Sequence, residues 1–294
     1  MESEPTMESG VCHQIENAAI YRFVGADRQK WLHNFCTAEI KDLQPGQGCE
    51  AFVLNVKGKT IAHVIILASK YDLTMLMLGE PDISLLDHFN KYIITEDVTV
   101  EDIGENFRLW YVSGQKLDSM FSKSVTSQEL YAHGLVRDRS IAVRTNISRK
   151  NDWFTLVTKT ESLSKWYGGV KELDAEAFEA LRIRGGWPIT GKEVTLDRLP
   201  QEFCRDEQAI SFDKGCYLGQ ETVARIDALG HVNYLMARLE WQAELVPGIE
   251  LTRDEKVVGK VTSALGNSGL GFVRRLMAKT GEGFQSASGD VKIV

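Results

Sequence analysis

The hydrophobic and polar positions along the chain predict many short strands and few helices. Alternating apolar and polar residues are typical of half-buried strands, whereas an apolar stripe every three to four residues is typical of a helix. The first pattern runs over residues 19–24 and 95–103, and apolar stretches bounded by turns predict further strands over 50–56, 60–68 and 71–78. The second predicts helices over 83–94 and 174–184, and one after residue 27 with Trp31, Leu32 and Phe35 on one face. This mixture indicates an α+β architecture.

The second half of the chain predicts a different kind of module. Short apolar stretches alternate with turns from residue 232 to 273, as in small β-barrels. The glycine- and serine-rich residues after 278 predict a loose end. We therefore expect four parts: a flexible N-terminal tail over 1–12, a region of two α+β modules over 13–230, a C-terminal barrel over 231–278, and a loose tail over 279–294.

Composition and charge narrow the class of protein. The chain has 294 residues, 34 of them Lys or Arg and 41 Asp or Glu, so its formal net charge is −7. This acidic balance argues against a protein whose main task is to neutralise phosphates of nucleic acid. Five cations within 107–153 are interpreted as a solvated strand face: Arg137, Arg139, Arg144, Arg149 and Lys150.

The cysteines and the first residues bear on the compartment. Five cysteines are an odd number and none forms C-x-x-C, which argues against a disulfide framework and a zinc ribbon. The first nine residues carry three Glu and no basic residue, unlike a secretory or transit segment, and no apolar run approaches the ~18–20 residues of a membrane span. We therefore expect a cytoplasmic protein without membrane association.

Several familiar motifs fail on inspection. Residues 58–60 end like a phosphate-binding loop, but the first glycine of that pattern would fall on Val53. No dinucleotide-binding glycine pattern follows a strand, no serine-nucleophile elbow occurs, and the six histidines lack metal-ligand spacing. The sequence thus offers no motif for a nucleotide, a serine hydrolase or a metal.

One segment, residues 214–221, combines a thiol, an aromatic ring, two glycines, an amide and a carboxylate within eight positions. Its sequence is Lys-Gly-Cys-Tyr-Leu-Gly-Gln-Glu, and residues 220–226 could begin a helix. Cys216 would then precede a helix N-terminus, with Lys214 nearby, a setting that favours the thiolate. A buried structural cysteine in a tight turn explains the pattern equally well.

This segment resembles the K-G-C-[FYW]-x-G-Q-E signature of the YgfZ-type folate-binding proteins, relatives of the glycine-cleavage T-protein (aminomethyltransferase) that include an iron–sulfur assembly factor. The resemblance extends over most of the chain. Its further matches are Val24-Gly-Ala-Asp27, Lys30-Trp-Leu32, Thr37-Ala-Glu-Ile40, Asn55-Val-Lys-Gly-Lys59 and Val258-Gly-Lys-Val-Thr-Ser263.

The resemblance implies a T-protein-like fold of modules around a central channel that accepts tetrahydrofolate. Cys216 and Lys214 are its candidate reactive residues. Its candidate cofactor-binding residues are Asn55, Arg182, Arg184, Trp187, Tyr217, Gln220 and Glu221. Two of these have plain structural alternatives, since Trp187 could be a core tryptophan and Arg184 an exposed cation at a helix end.

Departures from the T-protein pattern bear on the mechanism. Ala62 and His63 stand where that branch has two acids, and Arg184 replaces a Glu that recognises the pterin. No carboxylate is then expected near the folate amine, and aminomethyl transfer is disfavoured.

The leading hypothesis is a tetrahydrofolate-binding accessory protein that supports assembly or repair of iron–sulfur enzymes through Cys216. A folate-dependent one-carbon transferase and a tRNA-modification factor are the alternatives. We expect folate and iron–sulfur proteins or their assembly factors as partners, no strong direct nucleic-acid binding, and a monomer. The other four cysteines are interpreted as ordinary buried thiols.

Overall fold

The computed structural model describes residues 10–125, 127, 129–136, 140–148, 152–158 and 170–294. Most of the expected N-terminal tail lies outside these ranges, but strand β1 (Val11–Ile15) already includes its last two residues. Of the five cations in the middle segment, Arg137, Arg139, Arg149 and Lys150 also lie outside the described residues. The fifth, Arg144, is buried and stacks on Trp153, so the prediction of a solvated face is wrong at this position.

Five antiparallel strands form the first sheet, in the order β3-β4-β5-β2-β6. They are β2 (Ala18–Val24), β3 (Gly48–Leu54), β4 (Thr60–Ala68), β5 (Leu73–Leu78) and β6 (Thr99–Asp102). Every residue of β4 is buried, because helices α1 (Arg28–His33) and α2 (Leu85–Asn90) cover one face of the sheet and a second sheet covers the other.

The second sheet has six strands in the order β11-β1-β7-β10-β9-β8. Besides β1 they are β7 (Phe107–Ser113), β8 (His133–Leu135), β9 (Ile141–Thr145), β10 (Asp152–Thr158) and β11 (Lys171–Glu172). Ile65 and Leu76 of the first sheet pack against Tyr111 and Phe154 of the second, so one apolar core joins the two sheets. Helix α3 (Gln115–Phe121) covers the outer face of the second sheet.

Helix α4 (Ala175–Gly185) confirms the helix predicted over 174–184. The Asp174 side chain accepts a hydrogen bond from the backbone N–H of Ala177, and Gly186 ends the helix in the left-handed conformation that favours glycine. By contrast, α2 is much shorter than the predicted 83–94. Within the described ranges, the remaining helices are α5 (Asp206–Ala209), α6 (Gln220–Leu229) and the 3₁₀ turns Gly104–Asn106, Pro200–Phe203 and Arg275–Met277.

A closed six-stranded barrel follows, in the order β12-β15-β14-β13-β16-β17. Its strands are β12 (Tyr234–Trp241), β13 (Glu250–Arg253), β14 (Lys256–Leu265), β15 (Ser268–Arg274), β16 (Gly283–Ser286) and β17 (Gly289–Ile293). The prediction of a loose tail after residue 278 is therefore wrong. Phe284, Val291 and Ile293 alternate into the barrel core, and much of the glycine and serine lies at the turn between β16 and β17.

No helix of the described ranges is both long enough and apolar enough to cross a membrane.

Removing residues 279–294 should unfold the barrel, because β16 and β17 close it between β13 and β12. The buried Phe284, Val291 and Ile293 each contribute roughly 1.5–3 kcal/mol, so the free energy of unfolding of the barrel should fall by roughly 4.5–9 kcal/mol. Thermal melting followed by near-UV circular dichroism measures the loss. A dispensable tail would leave the melting temperature unchanged.

Candidate functional site

The signature segment, residues 214–221, is fixed to the first sheet by Lys214. The Lys214 Nζ donates hydrogen bonds to the carbonyl oxygens of His33, Cys36 and Ala38, at 2.7, 2.8 and 2.6 Å. These three acceptors use all three ammonium N–H groups. Burial lowers the pKa of Lys214 below its usual value. Lys214, predicted as a reactive residue, therefore serves as a clamp on the chain that follows α1.

Two glycines bring the same segment against the hairpin between β3 and β4. A Cβ atom on Gly219 would lie 2.6 Å from the Asn55 carbonyl oxygen, and one on Gly58 would lie 2.6 Å from the Cβ of Thr222. Both glycines have positive φ, at 83° and 74°, which other L-residues rarely adopt. The Asn55 Oδ1 accepts hydrogen bonds from two backbone N–H groups of its own turn. Asn55, predicted to bind a cofactor, thus shapes the hairpin.

The remaining contacts leave Cys216 at the apex of the loop. The Gln220 Oε1 accepts a hydrogen bond from the Tyr217 backbone N–H at 2.8 Å, and the Tyr217 ring lies under the Lys214 ammonium. Cys216 is exposed and precedes α6 by four residues, as predicted, so the alternative of a buried structural cysteine is wrong. Glu221 is exposed in the first turn of α6.

A second group of predicted residues lies at the end of α4, and its geometry explains Arg182 without a ligand. Arg182 is fully buried, with Nη1 at 3.0 Å from Glu193 Oε2 and Nη2 at 2.6 Å from Glu179 Oε1. It also donates to the Trp187 carbonyl and to the Ser263 hydroxyl of the barrel. This network joins α4 to the barrel.

The other two residues of this group match their structural alternatives. Arg184 is exposed in the last turn of α4. Trp187 is 2% exposed and packs in the core between the two sheets. Its ring lies under the Arg205 guanidinium, 4.5 Å from the ring centroid.

A buried ionic cluster around Glu50 was missed by the sequence analysis. The Glu50 carboxylate accepts hydrogen bonds from Arg205 Nε and Nη2 and from the Tyr131 hydroxyl, and its Oε1 lies 2.7 Å from His63 Nε2. Burial alone would raise the pKa of Glu50, but Arg205 and His63 hold it well below its usual range. Burial raises the pKa of Tyr131 above its usual value, and the negative charge of Glu50 raises it further.

This cluster places a carboxylate beside His63, although His63 stands where the T-protein branch has an acid. Glu50 comes from the neighbouring strand β3 and projects to the same side of the sheet as His63. A charged residue inside the apolar run Gly48–Leu54 was the available signal, since a buried carboxylate requires a cationic partner. The partner, Arg205, is 155 residues away and carries no motif.

A cavity of about 430 Å³ lies beside Arg205, between the end of α4, residues 203–208 and strand β12. Leu235, Met236 and Leu270 give it apolar walls. Its polar groups include Asn146, whose Oδ1 is buried without a hydrogen-bond partner among the described residues. The volume lies within the range usual for cofactor sites, and the lining is more polar than apolar.

The cavity and the signature segment are separate features. The cavity lining includes neither Cys216 nor any residue predicted to bind the cofactor, although Gly185 and Gly186 follow Arg184 directly. It does include Cys204, which is exposed, so the interpretation of that thiol as buried is wrong. The structure thus places Asn55, Lys214, Tyr217 and Gln220 in or against the segment that carries Cys216, and Arg182 and Trp187 elsewhere.

Comparisons with known proteins agree with this fold. No family model matches the chain. The chain is 30% identical over 286 residues to a protein of Arabidopsis thaliana named "Putative transferase At1g60990, chloroplastic", covering 88% of this chain and 64% of that protein's length. It is 26% identical over 262 residues to the "tRNA-modifying protein YgfZ" of Yersinia pestis, covering 85% and 79% of the two chains.

The YgfZ of Blochmanniella pennsylvanica is 25% identical over 233 residues, or 76% of this chain and 70% of that protein. Among solved structures, the glycine-cleavage aminomethyltransferase T of Bartonella henselae superposes with a TM-score of 0.84 at 13% identity, covering 97% of this chain and 85% of its own. At that identity the match shows the fold alone, and it confirms the T-protein-like fold predicted from the sequence.

Replacing Lys214 with Met should free the signature segment, because three buried carbonyls lose a charged donor. We expect the free energy of unfolding to fall by roughly 1.5–3 kcal/mol, and the Cys216 thiol to react at a changed rate with a disulfide reagent. Denaturant unfolding and thiol titration measure the two effects. Lys57→Met, a change of an exposed lysine on the adjoining hairpin, is the matched control and should change neither.

Asp206, next to Arg205, should make stability fall as the pH rises. Burial and the negative charges of Asp227 and Glu207 raise its pKa to about 6, above an unfolded value of about 3.9. The folded state therefore binds more protons between pH 4 and 6, and stability decreases through that window and then stays constant. Asp206→Asn should stabilise the protein at pH 7.5 and leave it unchanged near pH 4. Denaturant unfolding at both pH values decides, and an equal effect at both would contradict the assignment.

Proposed function

We propose that this chain is a member of the YgfZ-type family, which is related to the glycine-cleavage T-protein, and that it is a tetrahydrofolate-binding accessory protein. Its role would be to support the assembly or repair of iron–sulfur enzymes, with Cys216 as the working thiol. The observation that carries this proposal is the position of Cys216, exposed at the apex of a loop that is otherwise fixed.

The contacts of the loop argue for function at the thiol. Lys214 donates hydrogen bonds to three carbonyls, and Gly219 permits close approach to the hairpin. Gln220 accepts a hydrogen bond within the loop itself. Structural needs therefore explain these motif residues, whereas nothing in the packing requires a thiol at position 216. An exposed thiol can ligate iron transiently, or it can attack a partner's disulfide, forming a mixed disulfide and releasing the partner's other sulfur as a thiol.

The cavity beside Arg205 supports the folate part of the proposal. Its volume of about 430 Å³ falls within the range usual for cofactor sites. Apolar walls suit a flat ring, and Asn146, Arg205 and Gln208 would supply the polar contacts. Bound there, the folate would be separated from Cys216, so the thiol is proposed to act on a partner.

The state of Glu50 favours an accessory protein over a one-carbon transferase. A transferase of the T-protein type needs a free carboxylate at the folate amine, but the Glu50 carboxylate is already engaged by Arg205, His63 and Tyr131. The transferase alternative predicts turnover of methylene-tetrahydrofolate with an amine or thiol acceptor. Turnover that survives Cys216→Ala would favour it.

A tRNA-modification role is the other alternative, because relatives are named tRNA-modifying proteins. With a net charge of −7, an indirect effect is the simpler account: support of an iron–sulfur enzyme that modifies tRNA needs no RNA contact. Tight tRNA binding in a gel-shift at moderate salt would promote the direct role.

In cells that lack this protein, Cys216→Ala should fail to restore the activities of iron–sulfur enzymes that the wild-type chain restores. The change removes the only group through which the loop can bind metal or form a mixed disulfide in our proposal. Enzyme activities in extracts, normalised to protein level, measure the effect. Asp213→Ala changes an exposed residue directly before the signature segment. It is the control and should complement fully. Wild-type activities with Cys216→Ala would sink the proposal.

A further inference from the structure

An apolar groove of about 940 Å³ lies apart from the signature segment and from the cavity beside Arg205, and its described lining includes no residue of either. It is bordered by β1, the segment after β5, the first turns of α4 and residues 189–192. Ile15, Leu78 and Phe178 line it and belong to the buried core between the two sheets. The floor of the groove is therefore the edge of that core. Further apolar lining comes from Pro81, Leu173, Ile189 and Leu265.

Carboxylates surround this groove. Among the described residues that line it, Lys192 is basic and seven are acidic: Glu16, Glu80, Asp82, Glu172, Asp174, Glu176 and Glu179. With His13 neutral, seven acids and one lysine give the lining a formal charge of −6, out of −7 for the whole chain. The other 33 basic and 34 acidic residues of the chain nearly balance. The net charge of the protein is thus concentrated at one groove.

The fold itself uses three of the seven carboxylates. Asp174 caps α4, and Asp82 accepts a hydrogen bond from a backbone N–H. Glu179 pairs with Arg182 and Lys192. The other four are exposed, and their side chains form no ion pair in the described part of the chain: Glu16, Glu80, Glu172 and Glu176. Because charges of one sign repel each other, this arrangement is unfavourable in the free protein, and a cationic partner would relieve it.

The spacing of the carboxylates suits an extended cation more than a metal ion. Nowhere in the described ranges do three His, Cys, Asp or Glu side chains form a group that could hold a metal. The four unpaired carboxylates follow β1, follow β5, or lie in β11 and the first turn of α4. A ligand that reaches them together must carry several cationic groups along a chain. Lys and Arg side chains have this chemistry, because their aliphatic stems cover apolar surface while their charged ends stay in water.

We propose that this groove is a docking site for a segment of a partner protein that is rich in Lys or Arg and carries apolar side chains between them. The apolar side chains and the stems of the cations contact the floor, and the charged ends contact the four unpaired carboxylates. Nucleic acid and anionic membranes have the same sign of charge as the groove and are repelled from it. The inference goes beyond the proposed function and depends neither on folate binding nor on Cys216.

The test uses the whole chain and a fluorescent peptide of alternating Lys and Leu, with binding followed by fluorescence anisotropy. The triple variant Glu80→Gln, Glu172→Gln and Glu176→Gln keeps the side-chain shapes and removes three charges from the groove. Its affinity for the peptide should be about tenfold lower than that of the wild type, which corresponds to about 1.4 kcal/mol. Wild-type affinity should fall with added salt, because exposed charges are screened beyond about 8 Å at physiological ionic strength. The variant should show a weaker salt dependence.

The matched control is the triple variant Glu129→Gln, Glu244→Gln and Glu255→Gln, which makes the same charge change at exposed residues outside the groove. It should bind the peptide as the wild type does. The melting temperature of the groove variant should stay equal or rise, because repulsion has been removed. An equal loss of affinity in both variants would show attraction to the net charge alone and overturn the inference. Absence of peptide binding by the wild type at low salt would also overturn it.

Two further probes distinguish a protein segment from a small polyamine. A peptide with Ser in place of Leu should bind more weakly, and spermine should displace the Leu peptide only at much higher concentration, since neither buries apolar side chains on the floor. Equal binding of the Ser peptide, or displacement by spermine at the concentration at which the Leu peptide itself binds, would identify a small polycation as the occupant. Either result would overturn the proposal of a protein segment.

Discussion

The buried carboxylate of Glu50 is the interaction on which the arrangement of the modules depends. Its partners come from three other parts of the chain: His63 from β4, Tyr131 from the turn before β8, and Arg205 from the turn before α5. A charge at this depth is tolerable only while its partners remain in place. These contacts hold the first sheet, the second sheet and the segment that leads to the signature in fixed positions relative to one another. They therefore also set the shape of the cavity beside Arg205.

The signature segment and the cavity lie at two separate places in the molecule. Around the signature, polar contacts are saturated and one thiol is left exposed. Beside the cavity, Arg205 is engaged by Glu50 and Trp187. Packing thus explains these side chains in both places, and Cys216 is the residue of the signature that it does not explain. The separation agrees with a protein in which the cofactor and the thiol act on different partners.

The sequence predicted the elements whose signals are local. Alternation identified β2, an apolar run after a turn identified β4, and Asp174 with Gly186 delimited α4. The prediction of a loose tail was wrong because it relied on glycine and serine content. Three apolar residues of the same stretch alternate into the barrel core. Glu50 carried a local signal, but its partners could not be identified, since the cluster spans up to 155 residues and Arg205 carries no motif. Motif resemblance pointed to Cys216, which is exposed, and to Arg182 and Asn55, whose contacts in the described residues are with other parts of the fold.

The three hydrogen bonds that Lys214 donates affect how a partner would bind at Cys216. A flexible loop must lose conformational freedom when it engages a partner, and that ordering cost weakens binding. Here the loop is already ordered by the lysine, the two glycines and the glutamine. An encounter at the thiol would then proceed as rigid-body docking, with its rate limited by mutual orientation of the two surfaces and not by loop closure.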